Sequence, residues 1–437
     1  MRKHIFFTGL MLFALFFGAG NLIYPPTLGI ESGTSYWSAI AGFIITGVGL
    51  PILAVMAISF VKEDARELAD KVSPLFGLVF ASVVYLAIGP FFGIPRASSV
   101  AYEMSVVPFA DHSTILLFIF TVVFFVLVYF VSLNPSKIVD RIGQMITPIL
   151  LIAIVGLIIG SFFLLKTPLL EPSDKYKSAP FFSGFVEGYL TMDAIAALAF
   201  GIIVVQVFKQ NGVTTQRGLV KSTLKAGIIS AVGLITVYTA LGWLGSKMAV
   251  HGNYTNGGEI LSAAADVIFD KFGTLLLGII VTLACFTTCV GLVVAAGQFF
   301  TKVTKFSYRT VIIIVTFTSF LIANQGLETI INYSVPVLVF IYPIAIVLII
   351  LPFFSRFLHY SKGVYRGATL CTAIVSLYDG LIALGIDLSA LSFMEMLPFF
   401  GINLSWLLPA IIGGAIGGWM EYATSKNLTI QKEESIE

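Results

Sequence analysis

Three groups of residues carry chemistry that a plain lipid-facing helix avoids. Residues 6–29, FFTGLMLFALFFGAGNLIYPPTLG, are uncharged and apolar but interrupted by Gly18-Ala19-Gly20-Asn21, with Pro25-Pro26 just beyond. Gly and Pro weaken or break a helix, and backbone groups left unpaired in hydrocarbon are costly. Such a break persists where protein or a polar cavity covers it; the other reading is a kinked helix repaired by its neighbours. Residues 184–201, GFVEGYLTMDAIAALAFG, hold a second interruption that contains Glu187, Gly188, Thr191 and Asp193. In LACFTTCVGLVVAAGQ, Thr287 and Thr288 are adjacent hydroxyls on an otherwise apolar stretch.

The chemistry open to these groups is non-covalent. A half-helix N-terminus offers free N–H groups and partial positive charge to a carboxylate. Half-helix C-termini and unwound carbonyls attract a cation or an ammonium group. This combination suits an amino acid, held mostly by the backbone of Phe17, Gly18, Ala19, Gly20 and Asn21 and of Tyr189, Leu190, Thr191 and Asp193. Gly18, Gly20 and Gly188 let a ligand approach closely, and Asn21 and Thr191 add side-chain oxygens; both could instead merely satisfy the broken backbone. A carboxylate near mid-membrane is costly and usually faces a polar interior, which singles out Glu187, Asp193 and Asp379. Thr287 and Thr288 either bond back to the preceding turn or serve as oxygen ligands of a hard cation.

The elements that must position these residues are helices in a bilayer. Of the 437 residues 58% are hydrophobic and 11% charged, against about 25% charged in soluble domains. Twelve apolar runs, near 5–30, 36–60, 75–96, 113–133, 142–165, 178–208, 222–246, 272–301, 310–326, 329–355, 367–387 and 396–420, are each long enough to cross as a helix. The first run, led by Arg2-Lys3-His4, is read as span 1 rather than a signal peptide, because no soluble domain follows. With the N-terminus inside, nineteen of the 25 Lys and Arg, among them Lys62, Lys137, Arg141, Arg356, Lys426 and Lys432, fall on the cytoplasmic side. The other six, Arg96, Lys166, Lys175, Lys177, Lys247 and Lys271, fall at outer ends or loops. This asymmetry predicts cytoplasmic termini.

The two interruptions fall in spans 1 and 6. A five-span repeat has an odd count, so its second copy enters from the opposite side. The expected fold is an all-α polytopic membrane protein of twelve transmembrane helices, a 5+5 inverted repeat with broken spans 1 and 6 plus two accessory spans. The first repeat covers 1–165, the inverted second 166–355, and spans 11–12 with a polar tail 356–437. Matching breaks in two halves point to a transporter's binding site. Segment 166–180 reads as an outer linker, and 259–271 as a short surface helix serving as a solvated connector rather than a lid.

Other classes fit less well. No P-loop, nucleophile elbow or metal-spaced His/Glu motif is present, so the chain is not expected to be an enzyme or an ATP-driven pump. No filter-like repeated ring argues for a channel. The histidines His4, His112, His251 and His359 lack metal-ligand spacing, and Cys285, Cys289 and Cys371 read as small apolar packing residues. No basic cluster argues for nucleic acid. No organic cofactor and no obligate protein partner is expected; the partners are the lipid bilayer and a small molecule.

FALFFGAGNLIYPPTLG together with GYLTMDAIAALAFG resembles the bacterial branched-chain amino acid:cation symporters, the BrnQ-like carriers, over essentially the full length. The resemblance implies a leucine-transporter-type fold in the bacterial cytoplasmic membrane, with uptake of leucine, isoleucine and valine coupled to Na⁺. GAGNLIYPP is also similar, more remotely, to span 1 of sodium-coupled amino acid transporters. Alignment on Asn21 then places cation-binding carbonyls near Ala14 and Phe17, and fits Ala284, Thr287 and Thr288 to the fold's small residue and paired hydroxyls. Asp193 departs from that pattern. It could ligate a second cation, bind the substrate amine or carry a proton, the last giving H⁺-coupled transport of a small neutral amino acid as the alternative.

Overall fold

A computed structural model describes residues 2–61, 65–110, 112–133, 137–354, 357 and 361–434, and the side chains of all but 2–3, 137–147 and 425–434 among them. Lys62 and Arg356, and the side chains of Lys137, Arg141, Lys426 and Lys432, lie outside the described set. Within it the chain is entirely helical, as a protein without water to satisfy its backbone must be unless it forms a closed barrel. Among the described residues seven stretches are long and apolar enough to cross a membrane. Large apolar side chains such as Ile115, Phe130 and Phe163 face outward, the arrangement a lipid solvent favours.

The first apolar run forms α1 (Arg2–Phe16) and α2 (Ala19–Ser32). The break sits at Phe17-Gly18, and Gly18 is extended (φ −113°, ψ −166°). Ala19, Gly20 and Asn21, expected within the break, are instead the first turn of α2, and Pro25 and Pro26 lie inside that helix. The prolines are tolerated because α2 is buried against a neighbour. That neighbour is α11, defined below, and glycines bring the two backbones together.

The second run forms α3 (Tyr36–Ile44) and α4 (Leu50–Ile58), joined by a wide turn at Ile45–Gly49. The third is also interrupted, which its composition did not lead us to expect. After α5 (Pro74–Leu86), Gly89 leaves helical geometry (φ −89°, ψ −118°) beside Pro90, and α6 (Gly93–Ser105) resumes. Next come α7 (Thr114–Leu133) and α8 (Lys137–Leu164).

The sixth run divides as expected into α9 (Pro180–Glu187), a short 3₁₀ turn at Gly188–Thr191, and α10 (Asp193–Gln210). Met192 between them is left-handed (φ 66°), unfavourable for an L-residue of this bulk and sustained only by surrounding packing. The remainder comprises α11 (Gln216–Met248), α12 (Gly257–Val303), α13 (Tyr308–Ala323), α14 (Leu327–Phe354), α15 (Lys362–Ala383) and α16 (Leu407–Glu434).

Small residues set the close contacts, as packing between membrane helices requires. A Cβ on Gly29 of α2 would stand 1.9 Å from the Gly242 carbonyl of α11, and one on Gly184 of α9 the same distance from the Ala39 carbonyl of α3. Gly29→Ala is expected to destabilise by about 1–3 kcal/mol, the usual range for overpacking. A lowered thermal midpoint of the purified protein checks it, and an unchanged midpoint contradicts it.

The segment after α8 is more ordered than a linker. Ser173 N–H donates to Glu31 O (2.8 Å) and Thr34 N–H to Leu170 O (2.9 Å). Lys175 from this segment meets Glu187 at 2.5 Å and Glu31 at 3.4 Å. Partial burial alone would lower the Lys175 ammonium, but the two carboxylates outweigh it and hold its pKa above the ordinary lysine value. Glu187 is thus the partner of a loop lysine and not an isolated mid-membrane charge. The expected surface helix is the first part of α12, which turns at Asp270 (φ 57°). It is packed and not a solvated connector: Ile260, Leu261, Ala264 and Ala265 are buried.

Candidate substrate and cation site

The broken helices meet at a buried polar knot. At the end of α1, Gly18 N–H turns to Phe16 O (2.8 Å) and to Asn21 Oδ1 (3.1 Å). It therefore does not close the regular helical bond to Ala14, whose carbonyl is released. Asn21 then spends its amide nitrogen on the other broken helix. Nδ2 donates to Asp193 Oδ2 (2.5 Å) and to the Tyr238 hydroxyl of α11. Tyr238 in turn donates to Asp193 Oδ2 (3.1 Å). Asn21, Asp193 and Tyr238 are all under 5% exposed. Hydrogen bonds to an ion contribute about 1.5–3 kcal/mol each, which offsets part of the cost of burying this carboxylate.

Arg96 is the residue that sequence reasoning misplaced. Assigned to an outer end, it is the fourth residue of α6, where the first turn closes, and is 4% exposed. Its guanidinium donates to Leu190 O (2.6 Å), Thr191 O (3.2 Å) and the Tyr24 hydroxyl (3.2 Å). It thereby caps the carbonyl end of the first half of the broken sixth run, where the helix dipole favours a cation. Its Nε finds no acceptor among the described residues, and no carboxylate there comes within 4.0 Å of its nitrogens. The available signal was Gly89-Pro90, Gly93 and Pro95 ahead of an arginine inside an apolar run.

Gly20 faces this arginine: a Cβ there would stand 2.8 Å from an Arg96 guanidinium nitrogen and 3.2 Å from Thr191 O. Its missing side chain makes room for Arg96 itself, and not only for a ligand.

These groups line a cavity of about 50 Å³, room for a few waters but not for an amino acid, so occupancy requires its walls to move. Gly18, Ala19, Gly20, Asn21, Thr191 and Asp193 line it with Arg96, and Ile88, Ala97, Phe200 and Leu292 supply apolar wall. Phe17, Tyr189 and Leu190 do not. Phe17 stacks on Phe13 and Tyr189 on Tyr342, while Leu190 contributes its carbonyl to Arg96. A larger, mainly apolar groove of about 700 Å³ between α14, α15 and α16 contains none of these charges.

Of the cation candidates, only Thr288 reaches the cavity. Its methyl would lie 3.8 Å from a Cβ on Gly18, so α12 faces the break in the first run. The Thr287 and Thr288 hydroxyls both donate to Ala284 O (2.9 and 3.0 Å). A hydroxyl that donates still carries lone pairs, so this back-bonding leaves both oxygens able to face a cation. Asp379 stands apart and accepts from Ser405 (2.7 Å). Cys285 and Cys289 are buried and free, as expected of packing residues.

The architecture is similar to that of Mhp1, a nucleobase-cation-symport-1 family transporter. Its closed form with bromovinylhydantoin matches with TM-score 0.58 at 15% identity, over 94% of this chain and 92% of that one. Its inward-facing conformation matches with TM-score 0.62 at 13% identity, over 96% and 91%. The fold is of the leucine-transporter type, and the family and relatives that the chain matches make it a multi-pass membrane transporter, not an enzyme. Residues 1–424 match the family described as "Branched-chain amino acid transport protein", and the chain belongs to that family. It is 44% identical over 421 residues to the branched-chain amino acid permease BraB of Bacillus subtilis (strain 168), covering 95% of each. It is 45% identical over 423 residues to the branched-chain amino acid permease BrnQ of the same organism, covering 95% of this chain and 96% of that one.

Proposed function

We propose that this protein imports leucine, isoleucine and valine by Na⁺ symport with alternating access, in the bacterial cytoplasmic membrane and with both termini cytoplasmic. The observation that carries the substrate reading is a pair of buried opposite charges, Arg96 and Asp193, on the wall of one cavity without contact between them. A zwitterion neutralises both. Its carboxylate faces the free Nε–H of Arg96 and the first-turn N–H groups of Ala19 and Gly20; its ammonium faces Asp193. Ile88, Ala97, Phe200 and Leu292 suit an aliphatic side chain. The permeases BraB and BrnQ, similar over nearly the whole chain, support the branched-chain class.

Na⁺ is assigned to the hydroxyls of Thr287 and Thr288 and the carbonyls of Ala14, Phe17 and Ala284, between α12 and the break after α1. Ion and substrate then favour the same arrangement without touching. The division into inverted repeats, 1–165 and 166–355, with 356–437 accessory, belongs to the same proposal and rests on matching breaks at Phe17-Gly18 and Gly188–Met192. Cytoplasmic termini rest on the Lys and Arg asymmetry, now with Arg96 removed from the outer count. External labelling of a cysteine placed at Lys221 in intact cells contradicts that orientation.

The test is uptake of radiolabelled leucine by purified protein in liposomes, with Na⁺ and H⁺ gradients imposed separately. A Na⁺ gradient alone is expected to drive accumulation. Accumulation driven only by H⁺ overturns Na⁺ coupling and favours the second reading, in which buried Asp193 carries the proton. Thr288→Val keeps the shape and removes one oxygen. It is expected to weaken apparent Na⁺ affinity about tenfold if the lost ligand costs roughly 1.4 kcal/mol. Unchanged Na⁺ dependence in both Thr287→Val and Thr288→Val returns these residues to a packing role.

A further inference from the structure

We propose that Glu103, His112 and Glu259 form a binding site for a divalent transition metal of the Zn²⁺ class where the end of α6, its connection to α7 and the start of α12 meet, and that metal bound there restrains transport. The sequence offered no metal spacing, because the three ligands come from three separate elements. Glu103 is in the last turn of α6, His112 in the connection to α7, and Glu259 in the first turn of α12. One ligand atom from each lies within 4.8 Å of the others. His112 Nε2 is 3.5 Å from Glu103 Oε2 and 3.8 Å from Glu259 Oε1.

Two features separate this group from an ordinary surface cluster. Glu103 is 6% exposed, and its Oε2 accepts no hydrogen bond among the described residues. A buried carboxylate oxygen is thus aimed into the cluster with no hydrogen bond and only His112 Nε2 nearby, at 3.5 Å, where desolvation makes an unmatched anion costly. Glu259 is held in place by its own helix start: Thr255 N–H donates to Oε2 (2.8 Å), while Thr255 Oγ1 (2.7 Å) and Asn256 Nδ2 (3.4 Å) donate to Oε1, the oxygen that faces His112. Such outer hydrogen bonds orient metal ligands. Helix capping accounts for Glu259 alone, since Asn256 Oδ1 accepts from Gly258 and Glu259 N–H. It does not account for Glu103 and His112 converging on the same point.

One imidazole nitrogen and two carboxylates with an open fourth position match a three-ligand zinc centre. Bond lengths of about 2.0–2.2 Å there require the ligand atoms to draw closer than they stand. His112, in a connecting segment and 59% exposed, has the freedom to move inward and leaves a solvent path for the ion.

The site joins elements that touch the transport cavity. Arg96 lies on α6 two turns before Glu103. The start of α12 lies against α2, where a Cβ on Gly257 would meet Ile23 O at 1.9 Å. Metal bridging Glu103 to Glu259 ties α6 to this helix. It opposes any separation of the two that opening of this end requires.

Zn²⁺ titration of the purified full-length protein by calorimetry tests the site without any assumption about substrate. One ion per chain is expected, with affinity reduced at least about tenfold in His112→Ala and again in Glu259→Gln. Unchanged affinity in both variants overturns the site. In liposomes, Zn²⁺ outside is expected to slow leucine uptake reversibly, with recovery on adding a chelator. His112→Ala, outside the transport cavity, should transport normally without metal and resist Zn²⁺. Binding to these ligands with no effect on uptake overturns the restraint; absence of leucine uptake in metal-free wild type counts against the substrate assignment instead.

Discussion

Arg96→Gln is expected to remove measurable leucine binding while the protein still inserts and folds. With the substrate's carboxylate bound, Arg96 becomes one member of a buried, hydrogen-bonded charge pair, and truncating such a member costs about 2–5 kcal/mol, or roughly 30-fold to several thousand-fold in affinity. Arg96 also bonds Leu190 O and Thr191 O, so a loss of affinity alone does not separate recognition from support of the break. Ligand discrimination does. Wild type should prefer leucine to leucinamide, which lacks the carboxylate, and Arg96→Gln should lose that preference. Arg96→Lys keeps the charge but not the planar fork and should recover part of it. If the variant weakens leucine and leucinamide in equal proportion, Arg96 supports the broken backbone and does not touch substrate.

Asp193→Asn is expected to have the second large effect, on the other end of the zwitterion. The substitution keeps the shape and leaves an oxygen to accept from Asn21 and Tyr238, which now bond Asp193 Oδ2. What is lost is the charge facing the ammonium, a loss within the same 2–5 kcal/mol range, about 30-fold or more. Binding of 4-methylpentanoate, which has no ammonium, should not fall. The proton-carrier reading predicts a different pattern: leucine still binds, its binding no longer depends on pH, and accumulation against a gradient stops. Equilibrium binding of the two ligands with gradient-driven uptake distinguishes these outcomes in one variant.

The breaks in the first and sixth runs were legible because Gly, Asn and Asp within an apolar stretch are local signals that a helix cannot simply continue. Their positions were less so. The sequence marks Gly18–Asn21 and the following prolines as one interruption, but the helix restarts at Ala19, because Asn21 Oδ1 takes the Gly18 N–H and caps the new helix. The third run's break carried the same kind of signal in Gly89-Pro90 and Gly93, but lay within an apolar length that reads as one span ending near Arg96. Counting charges by run length then put Arg96 outside and Glu187 at membrane depth. In the fold Arg96 is central and Glu187 pairs with Lys175.

By itself, then, the sequence determined that the chain is a bundle of apolar helices, that two of them break, and which family it belongs to. These follow from composition, breaker residues and motifs, which act over a few residues. Only the tertiary structure decided that Arg96 and Asp193 share one cavity, that Asn21 ties the two breaks together, and that Glu103, His112 and Glu259 converge. The physical reason is that a buried charge or ligand takes its meaning from what packs against it. Those partners lie on helices far apart along the chain, brought together by glycine-lined contacts whose rotation and depth no local pattern encodes.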